Sequence, residues 1–555
     1  MNHIPALAFL TGVFLASNAH AQVVPSTADP IKASDRFREQ PILDRTSPLE
    51  RQETTPQTPS PESTFVLGGV SISGLTVFSP TQFKHVYEDS LGKPITIAQA
   101  REIASKITAH YHQSGYGLAT SYVPEQIVDD GSILRIQVDE GRIGKVRFEG
   151  EKPPASIQNL VTRLVDKISK QKPVKTESLE HYLLLVNDLP GNTARALLRP
   201  SAEQPGTTDL IVYYDHQPIE ATLTTDNRGS DFLGPWQHSA SISANSTFGF
   251  DERVTLRTIT TSPAKELGYI DMQYEQPVGT QGTKVITTAS FAKTNPGERL
   301  KALNVQSKTT DVNMRVIHPL LRSRLENLYV RGTFDVRNSV TDLAHANLID
   351  DRVRSVRVGV SYDTANKSSA SLVDAEISRG IDGLGATEDG TGRSNPAAKH
   401  DYTKVTLDAS HNQLLPHNFS LLVTGSGHYA FNTLLSPEQY LLGGPLFGTA
   451  YDPGELSGDH GVAGKLELRR EEAIDGPLIK SAQLYGFYDI GTIWRRDPIG
   501  SEKSKSSLSS AGAGVRLDMH KSISANLEVA LPLTREAGTE KKGDTRIYGG
   551  VAVQY

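Results

Sequence analysis

From Pro218 to the terminal Tyr555 the chain shows no convincing helix, only one segment after another in which apolar and polar residues alternate. Alternation with a period of two gives a strand one greasy face and one wet face. The clearest case sets Ile523, Ala525, Leu527, Val529, Leu531 and Leu533 against Ser524, Asn526, Glu528 and Ala530. Others set Val515, Leu517 and Met519 against Arg516, Asp518 and His520, and Val356, Val358, Val360 and Tyr362 against Ser355, Arg357 and Ser361. Roughly sixteen such segments follow one another about every 21 residues, an even number of the kind single-chain bacterial barrels use. A soluble sandwich or propeller also alternates. Three features favour a membrane barrel: segments of about ten residues or more suit a tilted crossing, the polar face is heavily charged, and the last strand ends on an aromatic ring. In that strand Val551, Val553 and Tyr555 share a face with Ile547, the composition of a barrel-insertion signal.

No stretch after Ala21 approaches 18 uninterrupted apolar residues, and mean hydropathy is -0.35 with only 37% apolar residues. A chain that meets lipid without such a helix must close a sheet on itself, because every backbone polar group needs a partner there. At the amino terminus, Ile4 to Ala16 forms a short apolar run and Ala19-His20-Ala21 supplies a small-x-small cleavage pattern, so residues 1–21 read as a signal peptide and Gln22 as the first mature residue. Residues 22–63 are rich in Pro, Ser, Thr and Gln and read as a disordered linker, with one short polar helix within Ile31 to Arg45. The chain has no cysteine, which suits an exported protein, and its net charge of -6 gives no pull toward nucleic acid.

Between linker and barrel the pattern is different. Val70-Ser71-Ile72 reads as a strand, and Ser79-Pro80 opens a helical stretch through Phe83, Val86 and Tyr87. Thr96 and Gln99, at capping-box spacing, open a second helix with Ile97, Ala100, Ile103, Ala104, Ile107 and Tyr111 on one face. Tyr122-Val123 and Leu134-Ile136-Val138 complete a β-α-α-β-β order. The order then repeats: a strand at Lys145–Phe148, helical faces at Ile157, Leu160, Val161, Leu164 and Ile168 and at Leu179, Tyr182, Leu183 and Val186, then strands at Ala194–Leu198 and Asp209–Tyr213. The expected organisation is two α+β modules, 64–140 and 141–216, ahead of an all-β barrel at 217–555.

Several motifs in this frame carry a resemblance. Asn187-Asp188-Leu189-Pro190-Gly191, Asp226-Asn227-Arg228-Gly229-Ser230 and Arg379-Gly380-Ile381-Asp382-Gly383-Leu384-Gly385-Ala386 occur in the order found in the outer-membrane transporters of two-partner secretion, and nearly the whole mature chain resembles that haemolysin and adhesin exporter family (TpsB type). The first matches the end of the second helix of a second POTRA (polypeptide-transport-associated) module, the second a first barrel strand, the third a mid-barrel hairpin. Leu442-Gly443-Gly444 through Leu456 looks like the family's long hairpin loop, which folds back inside the barrel and carries a Val-Arg-Gly-Tyr tip. Here the tip reads Gly448-Thr449-Ala450-Tyr451, followed by Asp452 and Gly454, so Thr449 stands where the family has arginine. The lumen strand motif that would receive that arginine is kept as Phe487-Tyr488-Asp489-Ile490-Gly491.

Alternation groups Asp489 with Gln483 and Tyr485, opposite Leu484 and Ile490, toward the inside. Without the guanidinium its carboxylate loses a bidentate contact. Either Lys465, Arg469 or Arg470 substitutes, or hydrogen bonds through Thr449 and Tyr451 hold the loop; the alternative is that Asp489 is one more solvated pore charge.

The resemblance implies an outer-membrane transporter, not an enzyme, whose modules bind a secreted partner protein of β-helical type in the periplasm and whose barrel passes it outward. It implies outer-membrane lipid and the barrel-assembly machinery as further partners, no nucleic acid and no cofactor. Among module residues, Tyr122, Leu134, Ile136 and Val138 are the expected edge for an incoming extended chain. Little else in the chain points to chemistry. His110 and His112 are two apart on a helix, cannot face one metal ion, and read as surface residues. Gly279 to Lys284 lacks phosphate-loop spacing and reads as a hairpin turn, and there is neither a Gly-x-Ser-x-Gly elbow nor a zinc-protease helix. The rival readings are a barrel-assembly factor, which usually carries more modules, a passive porin, which needs none, and a secreted soluble β-rich enzyme.

Overall fold

The computed structural model describes residues 49–51, 64–150 and 162–555, apart from 164, 165, 169, 172, 202, 204–206, 389–391, 475, 501, 520, 521 and 535–543. The signal-peptide reading, the short helix within 31–45 and the helical face at Ile157, Leu160, Val161 and Leu164 lie outside the described residues. Two compact units are present, 46–217 and 218–555.

The second unit is a closed barrel of sixteen antiparallel strands in sequence order, from Ile219–Asp226 to Arg546–Gln554. The first and last strands close the cylinder, Asp226 opposite Gly550 and Thr222 opposite Gln554. Just past this seam Asn227 doubles the ladder: its Nδ2 donates to the Ile547 carbonyl at 2.9 Å and its Oδ1 accepts from the Gly549 N–H at 2.7 Å.

The burial pattern along the strands is inverted relative to a soluble protein. Val356, Val358, Val360 and Tyr362 are exposed, whereas Ser355, Arg357 and Ser361 are buried. Leu527, Val529, Leu531, Leu533, Ile547, Val551 and Val553 are likewise outside, and Tyr555 ends the outward row at 83% exposure. A greasy outer wall is stable only against hydrocarbon. The end at which the chain enters carries tight turns, such as Asn366–Ser368 and Pro416–Asn418, and the other end carries long connections at 381–402 and 431–459. Gly279-Thr280-Gln281-Gly282 is one of the turns, joining Leu267–Val278 to Thr283–Thr294 with both glycines at positive φ.

In the unit ahead of the barrel, each module lays helices on a small sheet. The first has strands Thr64–Ser73, Pro94–Thr96, Thr120–Tyr122 and Ser132–Asp139, with helix Ile97–Gln113 over them. The Thr96–Gln99 box caps that helix: Gln99 N–H donates to Thr96 Oγ1 at 3.1 Å and Thr96 N–H to Gln99 Oε1 at 2.8 Å. The apolar face Ala100, Ile103, Ala104, Ile107 and Tyr111 packs on Phe65, Leu67, Leu134, Ile136 and Val138. His110 and His112 are half-buried rather than on the surface, because His110 packs edge-on to Phe78 and Phe83 and His112 Nε2 meets the Ala119 carbonyl at 2.9 Å.

The second module repeats the plan with strands Ile143–Gly150, Asn192–Pro200 and Thr208–His216 and helix Thr176–Asn187. Asn187 closes the helix onto the sheet by bonding both backbone groups of Ala194. The modules also share a joint. Thr176 N–H donates to the Gly115 carbonyl at 2.9 Å, Gly117 N–H to Thr176 Oγ1 at 3.0 Å, and Leu118 is buried in the second module's core.

Two segments depart from the sequence expectation. Ser132–Asp139 is a central strand, paired with Thr64–Ser73 on one side and Thr120–Tyr122 on the other, so Leu134, Ile136 and Val138 are core residues and not an edge. Their alternation reported a face buried against helices, which says nothing about which strand lies outermost. Only Tyr122, 45% exposed, stands on an outer strand. Leu49–Arg51, inside the stretch read as linker, forms a short strand of the second sheet because a neighbouring edge supplies backbone partners its local composition does not announce.

Candidate functional site

The long connection 431–459 does not stay outside. It enters the barrel as a small hairpin, Tyr440–Leu442 paired with Leu456–Gly458, and its tip lies against the inner wall. Thr449, Ala450, Tyr451, Asp452 and Gly454 are all buried. Gly443, Gly448 and Gly454 have positive φ, and a Cβ on Gly443 would stand 2.1 Å from the Asp452 carbonyl oxygen, so the tight fold of the loop demands glycine there.

The receiving wall is Ile479–Trp494, whose Phe487, Asp489 and Gly491 share the inward face while Tyr488 and Ile490 face out. Each does something different. Asp489 accepts four hydrogen bonds: from the N–H groups of Gly448 (3.0 Å) and Thr449 (3.1 Å), from Thr449 Oγ1 (2.6 Å), and from Ser510 Oγ (2.5 Å). Gly491 leaves room for the hairpin, since a Cβ there would meet Leu442 Cδ2 at 2.7 Å. Phe487 lies beneath the Lys465 ammonium, 4.5 Å from its ring centre. Tyr451 donates to the Ser509 carbonyl at 3.1 Å, and Leu442, Phe447 and Leu456 fill an apolar seat formed by the inward Ile493 and Leu508.

Of the three basic residues considered for the missing arginine, Lys465 meets the tip. It sits opposite Asp489 in the strand register and donates to Thr449 Oγ1 at 3.2 Å and to the Pro445 carbonyl at 3.0 Å. The Thr449 hydroxyl thus takes a bond from the ammonium and passes one to the carboxylate. Arg469 is committed to Glu467 at 2.6 Å, and Arg470 is exposed beside Glu472.

Two further anchors escaped the sequence reading. Asp452 pairs with Arg546 on the last strand. Before the hairpin, the turn Ser436–Glu438 buries Glu438 against the Arg357 guanidinium, at 2.8 and 3.1 Å, and the Lys404 ammonium at 2.6 Å. Alternation had placed Arg357 inside, but nothing local linked it to a glutamate 81 residues away. Asp226-Asn227-Arg228 adds a lumen contact of its own, Arg228 reaching Glu528 at 2.7 Å and lying over the Tyr548 ring. Arg379-Gly380 ends a barrel strand, and the glycines after it turn the connection that follows, with Ile381 N–H bonded to the Arg354 carbonyl. Among the described residues no cluster of His, Asp or Glu has metal-binding geometry.

Sixteen strands with an apolar exterior and a charged interior, a loop folded into the lumen, and sheet-and-helix modules ahead of the barrel define an outer-membrane transporter of the POTRA-barrel type. Comparison with known proteins places it further. Residues 206–517 match the model of the haemolysin secretion/activation protein family ShlB/FhaC/HecB, and residues 65–141 match the ShlB-type POTRA domain. The chain belongs to this haemolysin secretion/activation family, whose members are outer-membrane transporters of partner exoproteins. Similar proteins include the heme/hemopexin transporter protein HuxB of Haemophilus influenzae, 23% identical over 81% of this chain and 80% of that protein. The hemolysin transporter protein ShlB of Serratia marcescens is 24% identical over 59% of this chain and 56% of its own. In fold, CdiB from Escherichia coli superposes with a TM-score of 0.66 at 19% identity, over 91% of this chain and 92% of that one. BamA from Haemophilus ducreyi lacking POTRA domains 1–3 superposes at 0.51 with 13% identity, over 88% and 100%.

Proposed function

We propose that this transporter exports one secreted partner, taken up unfolded by the modules in the periplasm and passed through the barrel lumen once the 431–459 loop withdraws. The observation that carries this reading is the loop itself. It occupies the lumen on bonds that can be broken and remade, and its tip is held at Asp489 without a covalent tie. Similar proteins are named for heme/hemopexin and hemolysin transport. On our reading the partner is a secreted β-helical protein, and its folding outside prevents return without any use of nucleotide. Outer-membrane lipid meets the apolar wall, and the outward Val551 and Val553 of the last strand, with Tyr555 just past its end, make up the segment that the assembly machinery would read during insertion.

Residues 449–452 and 454 are the moving part of this gate, and Phe487, Asp489 and Gly491 are its seat. No covalent step is required of any of them. Deleting residues 66–215 should abolish export while leaving a heat-modifiable barrel in the outer membrane; normal export by that truncation refutes the role given to the modules.

A further inference from the structure

The lipid-facing wall of the barrel carries two lysines side by side that no carboxylate answers. Lys293 and Lys308 are exposed on the neighbouring strands Thr283–Thr294 and Val305–Arg322 and stand directly opposite each other in the register. Like charges so placed, with Cβ atoms about 4.5–5.5 Å apart, repel. Among the described residues neither ammonium has a carboxylate partner or a hydrogen bond. Other basic residues near the same rim are satisfied by the chain itself: Arg352 pairs with Asp350 at 2.7 Å, Arg379 with Asp401 at 3.5 Å, and Lys505 lies over the Trp494 ring. The lysine pair therefore calls for an anion from outside.

Its position says which anion is at hand. The connection 295–304 between the two strands lies at the end of the barrel away from the periplasmic modules, on the cell-surface side. Beneath the lysines the outward rows read Ile270, Phe291 and Thr310, then Met272, Ala289 and Val312. Ile270, Phe291, Met272 and Val312 are exposed there, a surface for acyl chains. Two residues along a strand tilted by about 40° climb about 5 Å, so the lysines begin just above the Phe291 ring. Their flexible stems carry the ammonium groups to headgroup height. Gly268 takes the third place in their row, opposite Lys293, and a Cβ there would meet nothing within 4 Å, which leaves an open notch beside the lysine. Lys265 and Lys301 are exposed on the adjoining connections 263–266 and 295–304, where Glu266 is buried and Glu298 exposed.

We propose that Lys293 and Lys308, with the notch at Gly268, bind a phosphate of an outer-leaflet lipid, the phosphorylated glycolipid (lipopolysaccharide) of the cell surface. Each ammonium donates charge-assisted hydrogen bonds to the phosphate oxygens, and the bound anion relieves the repulsion between the two lysines. The acyl chains lie along Ile270, Phe291, Met272 and Val312.

The test titrates the full-length protein in detergent with lipid A carrying both its phosphates and counts bound lipid by native mass spectrometry. Lys293→Gln with Lys308→Gln should weaken binding about tenfold through the lost charge-assisted contacts, and Lys293→Arg with Lys308→Arg should preserve it. Gly268→Glu keeps both lysines but sets a carboxylate in the notch, and it should weaken binding several-fold. Lipid A stripped of its phosphates should bind parent and glutamine variant alike. The variants should migrate as heat-modifiable barrels like the parent, because the changed positions are on the surface. Equal affinity of parent and glutamine variant, undiminished binding after removal of the phosphates, or phosphatidylglycerol held as tightly as lipid A would each overturn the proposal.

Discussion

One hydroxyl links the tip of the 431–459 loop to both a carboxylate and an ammonium on the barrel wall. Thr449 reaches Asp489 directly and borrows a positive charge from Lys465, so a three-atom relay stands where the sequence motif would have a guanidinium. Charge-assisted bonds are worth about 1.5–3 kcal/mol each, and losing the ammonium should therefore loosen the loop measurably. Lys465→Met is expected to raise the open-state conductance of the barrel in planar bilayers several-fold. Adding Thr449→Arg, which restores a cation beside Asp489, should cancel most of that increase. Additive effects of the two changes would mean that Lys465 and Thr449 do not act on the same carboxylate.

The first module buries a carboxylate of its own, Glu140. Burial pushes the Glu140 carboxyl up, but the Thr76 hydroxyl, the N–H groups of Thr76 and Val77 and the Tyr111 hydroxyl bond its ionised form and hold it below the usual carboxylate range. A carboxyl held low when folded contributes stability that is complete above its unfolded value, about 4.3, and is lost as pH falls through the folded value. Amide exchange in residues 64–140 should accordingly accelerate only in acid below about pH 4. Glu140→Gln should cost about 2 kcal/mol at neutral pH and flatten that acid dependence; an unchanged profile would contradict the assignment.

At the scale of elements, the loop 431–459 is held at several places on different walls, and the sequence announced only one of them. Phe487-Tyr488-Asp489-Ile490-Gly491 is a local pattern whose alternation gives its direction, so the seat was legible. Glu438 was not, because its partners Arg357 and Lys404 come from other strands and only the closed register brings them together. The same reason explains why a strand expected at the edge is central: Leu134, Ile136 and Val138 carry a buried-face signal, and strand order within a sheet is a long-range property. Removing one partner of a buried ion cluster leaves the others uncompensated at a cost of about 3–5 kcal/mol. Glu438→Gln should therefore free the Ser436–Glu438 turn and make the loop sensitive to external protease while the tip stays at Asp489. A loop as resistant as the parent's would show that the tip alone holds it.

For the whole molecule, the barrel was the most legible part, because period-two alternation encodes directly which residues face lipid and which face water, and a polar inner wall follows wherever the outer wall is Val, Leu and Ile. That wall makes the central claim testable in the most direct way: partner polypeptide travels through the lumen. A photo-reactive residue placed at inward Tyr485 should cross-link to the partner caught during export, whereas the same group at outward Leu484 or Ile490, 58% and 49% exposed, should not. Cross-links from Leu484 and Ile490 with none from Tyr485 would contradict the account.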